Sequence, residues 1–392
     1  MTALHRSTRI LLAASALSSL GNGLTFPVGA LYLVRVRGLP IAAASVLFVA
    51  MAIAGALASL AFGRAMDRHG PRRFVALGML SEAAGLCLFA GATSYGMVLA
   101  AGVAIGCGNG LFFTGLTPLL ARLESGPALE RAFSVRYWLI NLGNAVGALI
   151  GGTLVATAGE AALTPAYLAN AATSVALAAT LAVIPLGAAA ADPEAARAPL
   201  RWTRTLVAVA VANALIVVFG MAMFEAVVPY MFVRARDGAV PLAHVIVGAS
   251  TVAITLGQLA AGRWSERRRK ARVLAMNAAI WAAAAGIGLA AVDAGGATLW
   301  ILGVAYGVAF GAGECLYAAG LSPLVVRVVQ PAQLARFNGV LSASYSAALA
   351  IGPALGFALA AHASPRAFWA AVAAAMLAAM ALWSSVARSE PR

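Results

Sequence analysis

Twelve apolar runs, each long enough to cross a lipid bilayer, set the terms for anything this 392-residue chain can fold into. A spanning helix needs roughly 20 predominantly apolar residues. Runs of that kind lie near 10–32, 41–63, 73–93, 97–121, 133–157, 164–187, 204–231, 241–262, 272–292, 297–321, 337–360 and 365–387. The expected fold class is therefore an all-α membrane protein with twelve transmembrane helices. Composition agrees: 62% of residues are apolar and 10% charged, where a soluble domain averages about 25% charged. A water-soluble globular protein is excluded. Cys87, Cys107 and Cys315 all sit inside apolar runs and make no disulfide framework.

The net charge of +14 would suggest nucleic acid in a soluble protein, but its placement does not. With the N-terminus inside, 22 of the 27 basic residues fall in cytoplasmic segments; the other five are Arg35, Arg37, Arg234, Arg236 and Arg366. That bias puts both termini in the cytoplasm. The basic residues then signal topology and contact anionic lipid, with no nucleic-acid partner. The first span is too long for a signal-peptide core, so no cleavable leader is expected. The chain reads as a multi-pass protein of a bacterial-type inner membrane or plasma membrane.

The chain is also written twice. Val34-Arg35-Val36-Arg37 returns as Val233-Arg234-Ala235-Arg236, and Asp67-Arg68 returns as Glu266-Arg267. Gly115-Leu116-Thr117-Pro118-Leu119 returns as Gly320-Leu321-Ser322-Pro323-Leu324, and Arg131, Gly147 and Gly151 return as Arg336, Gly352 and Gly356. Matches in order along the chain predict two pseudo-symmetric six-helix bundles, 1–187 and 204–392, joined by a polar linker at 188–203. Parallel repeats of this kind place a substrate site between the halves near the midplane.

The loop after the second span carries Gly63, Asp67, Arg68, Gly70, Arg72 and Arg73 in the order Gly-x-x-x-Asp-Arg-x-Gly-x-Arg-Arg. This resembles the cytoplasmic signature of the major facilitator superfamily. A degenerate second copy holds Gly262, Glu266 and Arg267. The resemblance covers the whole chain. It implies the major facilitator fold, a charge network gating the cytoplasmic mouth, and a monomer. Antiporters of the family carry a Gly-Pro pattern on the fifth span; here Pro353 lies on the eleventh and Ala148 on the fifth. Efflux members often carry an arginine on the fourth span, where this chain has Gly102. That departure weakens an export reading.

Three of the thirteen acids fall inside spans: Glu82, Glu225 and Glu314. A charge at a helix centre costs roughly 2.5–3.5 kcal/mol on insertion scales, so each acid needs a reason. Glu314 lies mid-span beside Gly311 and Gly313. Glu225 lies about 12 Å from the outer end of its helix, eight residues before Val233. The resemblance implies that the first, fourth, seventh and tenth helices line a central cavity, so both acids are candidates for binding protons or substrate. Glu82, on a third span that is peripheral in the family, reads as structural. Arg136 can bind an anionic substrate or pair with Asp67 or Glu82, and the pairing is preferred. Asn22, Asn109, Asn141 and Asn144 are amides for substrate contact or interhelical bonding. Phe26, Phe113, Tyr137, Phe224 and Tyr317 are candidate cavity aromatics, which would suit an amphipathic ligand; packing is the plainer reading for them.

No catalytic triad, phosphate loop, metal-spaced His/Cys cluster or soluble catalytic domain appears, so neither an enzyme nor an ATP-driven pump is expected. No cofactor or metal is expected. Three readings remain: a proton-coupled exporter of small amphipathic or drug-like molecules, working by alternating access as an antiporter; an uptake or facilitative permease for a sugar or organic acid; and a non-transporting membrane sensor on the same fold.

Overall fold

The computed structural model describes residues 4–40, 42–185, 198–235, 240–362 and 364–390. Most of the proposed linker, 188–197, and Arg236 of the repeated tetrapeptide lie outside the described residues. Among the described residues, twelve helices are long and apolar enough to cross a membrane. The first, α1, runs Arg6–Thr25, tightens into a 3-10 turn at Phe26–Val28 and ends through Gly29–Leu31 and a wide π turn at Tyr32–Val36. Pro27 lacks the N–H that a regular helix needs, which accounts for the break. Next come α2 (Ala42–His69), α3 (Pro71–Ala90), α4 (Tyr95–Leu123), α5 (Gly126–Ala158) and α6 (Leu163–Val183). The seventh helix, α7, begins as Arg204–Leu215, widens into a π segment at Ile216–Ala222 and finishes as Met223–Val233. The rest are α8 (Val240–Ser265), α9 (Lys270–Ala291), α10 (Gly296–Val328), α11 (Leu334–His362) and α12 (Pro365–Ser389).

The chain divides into two compact units, one of residues 1–200 and 329–347, the other of residues 201–328 and 348–392. In the first, α2 and α3 pack on α4, α5 and α6 pack on α1, and α3 packs on α6. In the second, α8 and α9 pack on α10, α12 packs on α9 and α7, and α11 meets α7 through Gly352 and Gly356. The pairs repeat with a shift of six helices, which is how the duplicated sequence appears in packing.

Lipid supplies no hydrophobic drive for helices to associate, so small residues that let backbones approach decide the seams. Glycines recur every fourth position, on one helix face. Gly102, Gly106 and Gly110 of α4 lie against the backbone of α2, Gly143, Gly147 and Gly151 of α5 against α1, and Gly307 and Gly311 of α10 against α8. A Cβ at Gly102 would come within 2.8 Å of both the Ala50 Cβ and the Leu47 carbonyl oxygen. That seam has no room for an arginine.

Helix N-termini leave backbone N–H groups unpaired, and two are closed by carboxylates from distant helices. In the second unit, Glu390 accepts from the N–H of Lys270 at 2.9 Å and of Ala271 at 3.0 Å, and from Arg327 Nη1 at 3.2 Å. Its carboxylate is fully buried. Glu390→Ala should therefore cost about 1.5–3 kcal/mol, the range for hydrogen bonds to a charged group, read as a lowered Tm in detergent; Glu266→Ala, in the turn after α8, is the comparison.

Candidate functional site: the signature loop and the acids at membrane depth

Asp67 sits on the last turn of α2, buried to 5% exposure. Its carboxylate accepts from the N–H of Ala335 at 2.9 Å and of Arg336 at 3.2 Å, and from Arg336 Nε at 2.7 Å. Ala335 and Arg336 open α11, so one carboxylate caps the helix, meets the positive end of its dipole and holds the guanidinium. Arg336 also reaches the Ala198 carbonyl through Nη1 at 2.5 Å. Gly63, one turn earlier on α2, makes the approach possible: a Cβ there would lie 2.8 Å from the Arg336 Cα. Gly70 adopts φ 84° as the N-cap of α3, a left-handed value that favours glycine. Arg72 donates to the Ala182 carbonyl of α6, while Arg68 and Arg73 are exposed. In the second copy Gly262 is buried within α8, Glu266 half-buried in the following turn and Arg267 exposed.

Glu314 is half-buried on α10. At 100° per residue it projects between two packed faces. One face meets α7, where Phe310 stacks on Phe224 at 3.7 Å and the Tyr317 hydroxyl donates to Asn213 Oδ1 at 2.8 Å. The other meets α8, through Gly311 and Cys315. Glu225 is exposed on α7, next in sequence to the buried Phe224. Phe224 belongs to an aromatic stack with Phe310 and Trp281 inside the second unit, and Tyr317 is equally interior. Phe26 and Phe113 are exposed, edge-on to Phe48 and Phe112 respectively.

The pairing expected for Arg136 does not form. Asp67 is taken by Arg336, and Glu82 makes no ion pair among the described residues. Arg136 on α5 is half-buried, and its Nε is enclosed with no hydrogen-bond partner among the described residues. Glu82 is 3% exposed on α3, with Gly108 of α4 packed against it. Asn141 donates back to the Tyr137 carbonyl of its own helix at 3.0 Å. Asn109 and Tyr137 are half-buried and Asn144 is exposed. Sequence reasoning saw Arg336 as the repeat of Arg131 without giving it a role. It also passed over Asn338, whose Nδ2 donates to the Phe113 carbonyl at 2.6 Å and the Thr114 carbonyl at 3.0 Å.

The model of the Major Facilitator Superfamily matches residues 11–234 and 210–392, most of the chain between them. The chain belongs to the Major Facilitator Superfamily. Members of this family are transporters, not enzymes. A curated relative, the uncharacterised MFS-type transporter YdeE of Escherichia coli K12, is 31% identical over 155 residues, which span 39% of this chain and 38% of the relative. Among solved structures, the fucose:proton symporter of E. coli superposes with a TM-score of 0.76 at 16% identity, covering 97% of this chain and 98% of that one. A bacterial homologue of the iron transporter ferroportin gives 0.77 at 14% identity over 98% and 100%. The human organic anion transporter MFSD10 gives 0.73 at 15% over 96% and 99%. At these identities the superpositions show a shared fold.

Proposed function

We propose that this superfamily member is a secondary transporter that exports small amphipathic molecules in exchange for protons by alternating access, from a plasma or bacterial inner membrane with both termini in the cytoplasm. The observation that carries the reading is the pair of acids at membrane depth on α7 and α10, Glu225 exposed and Glu314 between two packed faces. Burial in a low dielectric favours the neutral form of a carboxyl, so a carboxyl that alternates between wet and dry surroundings takes up and releases a proton as it moves. The gradient is worth about 2.3 kcal/mol per proton at 100 mV. The substrate is taken by the aromatic and amide side chains, with no cofactor.

A second reading, a permease for a small anion such as an organic acid, is favoured by Arg136, whose Nε has no partner among the described residues. Reconstituted vesicles separate the two. Under an imposed pH gradient, export predicts that lipophilic cations accumulate and that Glu225→Gln with Glu314→Gln lowers gradient-driven flux at least tenfold. Unchanged pH-dependent flux in the double variant overturns the proton role of these acids. Flux of organic acids alone, lost in Arg136→Gln, replaces the exporter with the permease.

A further inference from the structure

The turn between α8 and α9 carries a basic surface that has no part in the export cycle proposed above. Residues 262–272 read Gly-Arg-Trp-Ser-Glu-Arg-Arg-Arg-Lys-Ala-Arg. Two of these six cations are used inside the protein. Lys270 is buried and its Nζ donates to the Ser265 carbonyl. Arg269 Nη1 donates to the Ala387 carbonyl at 2.7 Å and ties the turn to the end of α12. The other four, Arg263, Arg267, Arg268 and Arg272, are exposed, and their guanidinium groups make no hydrogen bond or ion pair among the described residues. Glu266, the one acid of the run, is half-buried and is paired with none of them.

Arg268 lies over the ring of Trp264, 4.0 Å from its centroid, and Trp264 is 41% exposed. The repeat places Ala65 and His69 at these two positions in the first half, so the stacked pair belongs to the second copy alone. With 26 residues, or about 39 Å of helix, α8 outruns the ~30 Å hydrocarbon core and ends among the lipid headgroups. Trp264 is its penultimate residue, at the level where amphipathic indoles gather. A positive-inside bias counts charges by loop and is indifferent to which guanidinium meets which ring. A guanidinium held on an exposed indole, with three more on the same turn, is preset for an anion at the membrane surface. Phosphate suits it, because the guanidinium fork donates two parallel N–H groups to phosphate oxygens. Leu256 and Val252, exposed lower on α8, are apolar surface for the acyl chains. A nucleic acid is disfavoured, since the patch spans a single turn and its ring lies at the bilayer.

We propose that the α8–α9 turn is a headgroup site for an anionic phospholipid. Arg268, braced on Trp264, grips the phosphate, and Arg263, Arg267 and Arg272 supply the surrounding charge. The test is thermal unfolding of the purified full chain in detergent micelles doped with phosphatidylglycerol or, at the same mole fraction, with phosphatidylcholine. The wild type should gain several degrees in Tm from phosphatidylglycerol over phosphatidylcholine, and the gain should shrink as salt is raised. Trp264→Leu with Arg268→Gln should lose at least half of it. Arg6→Gln with Arg9→Gln, which removes two exposed cations at the start of α1, should keep all of it. No gain in the wild type, or an undiminished gain in the Trp264→Leu, Arg268→Gln protein, overturns the site. An equal loss in the Arg6→Gln, Arg9→Gln protein also overturns it, by showing that only bulk charge counts. So does an equal gain from soluble glycerol phosphate, because the ligand is then a free anion and not a lipid. Should the Trp264→Leu, Arg268→Gln protein fail to fold, Arg267→Gln with Arg272→Gln changes surface charge alone, and an undiminished gain there overturns the site. Transport is not measured, so failure of the export reading leaves the result intact.

Discussion

Asp67→Ala should lower the stability of the folded chain by about 3 kcal/mol, the lower end of the range for removing one partner of a buried ion pair. The substitution strips three acceptor contacts at once, from the N–H groups of Ala335 and Arg336 and from the Arg336 guanidinium. Arg336 keeps the carbonyls of Ala198 and Ala332, which holds the loss at that lower end. Asp67→Asn should lose less, because an amide oxygen can still accept one backbone N–H. Arg68→Ala, one residue on and exposed, should stay within about 0.5 kcal/mol. The measurement is Tm or denaturant midpoint in detergent. A cycle with Arg336→Ala supplies the decisive control, since contacting partners should lose less together than the sum of their single losses. Additivity would mean that the carboxylate serves α11 through its backbone alone.

Gly147→Val should leave little folded protein. A Cβ at this position collides with the Leu20 carbonyl oxygen of α1. Backbone cannot turn aside as a flexible side chain can, so the two helices must separate. Gly143 and Gly151 lie along the same seam against Ala16 and Leu24, so a separation at the centre also loosens both ends. Overpacking of this kind costs about 1–3 kcal/mol even where some relaxation is possible. Gly152→Val is the matched control. A Cβ there meets nothing within 4 Å, so that variant should fold and elute like the wild type. Size-exclusion profiles of the two, expressed side by side, decide the matter; equal profiles would show that the α1–α5 seam tolerates a wider spacing.

The signature loop shows where sequence and structure part. Its glycines and Asp67 are legible because their spacing is local. Arg336 is 269 residues away, and nothing in a periodic pattern names that partner. The same limit misled the reading of Arg136. A basic residue near two acids along the spans suggests a pair, yet Asp67 goes to Arg336 and the Arg136 Nε meets no partner among the described residues. Glu82, read as structural on the third span, is buried on α3. Its burial follows from the face α3 turns to α4, where Gly78 and Gly85 seat the two helices together.

Twelve membrane helices and membership of the family are legible in the amino-acid sequence alone. Those features rest on length, hydropathy and fixed local spacing, which survive without knowledge of any neighbour. The reach of Asn170 to Thr25 at the break in α1, the closing of the start of α9 by Glu390 and the tie of Asp67 to α11 come from the packed chain. Each of these is a hydrogen bond between residues far apart in the chain. Inside a medium without water, backbone and carboxyl groups must find such partners within the protein, and which partner is reached is settled by helix packing.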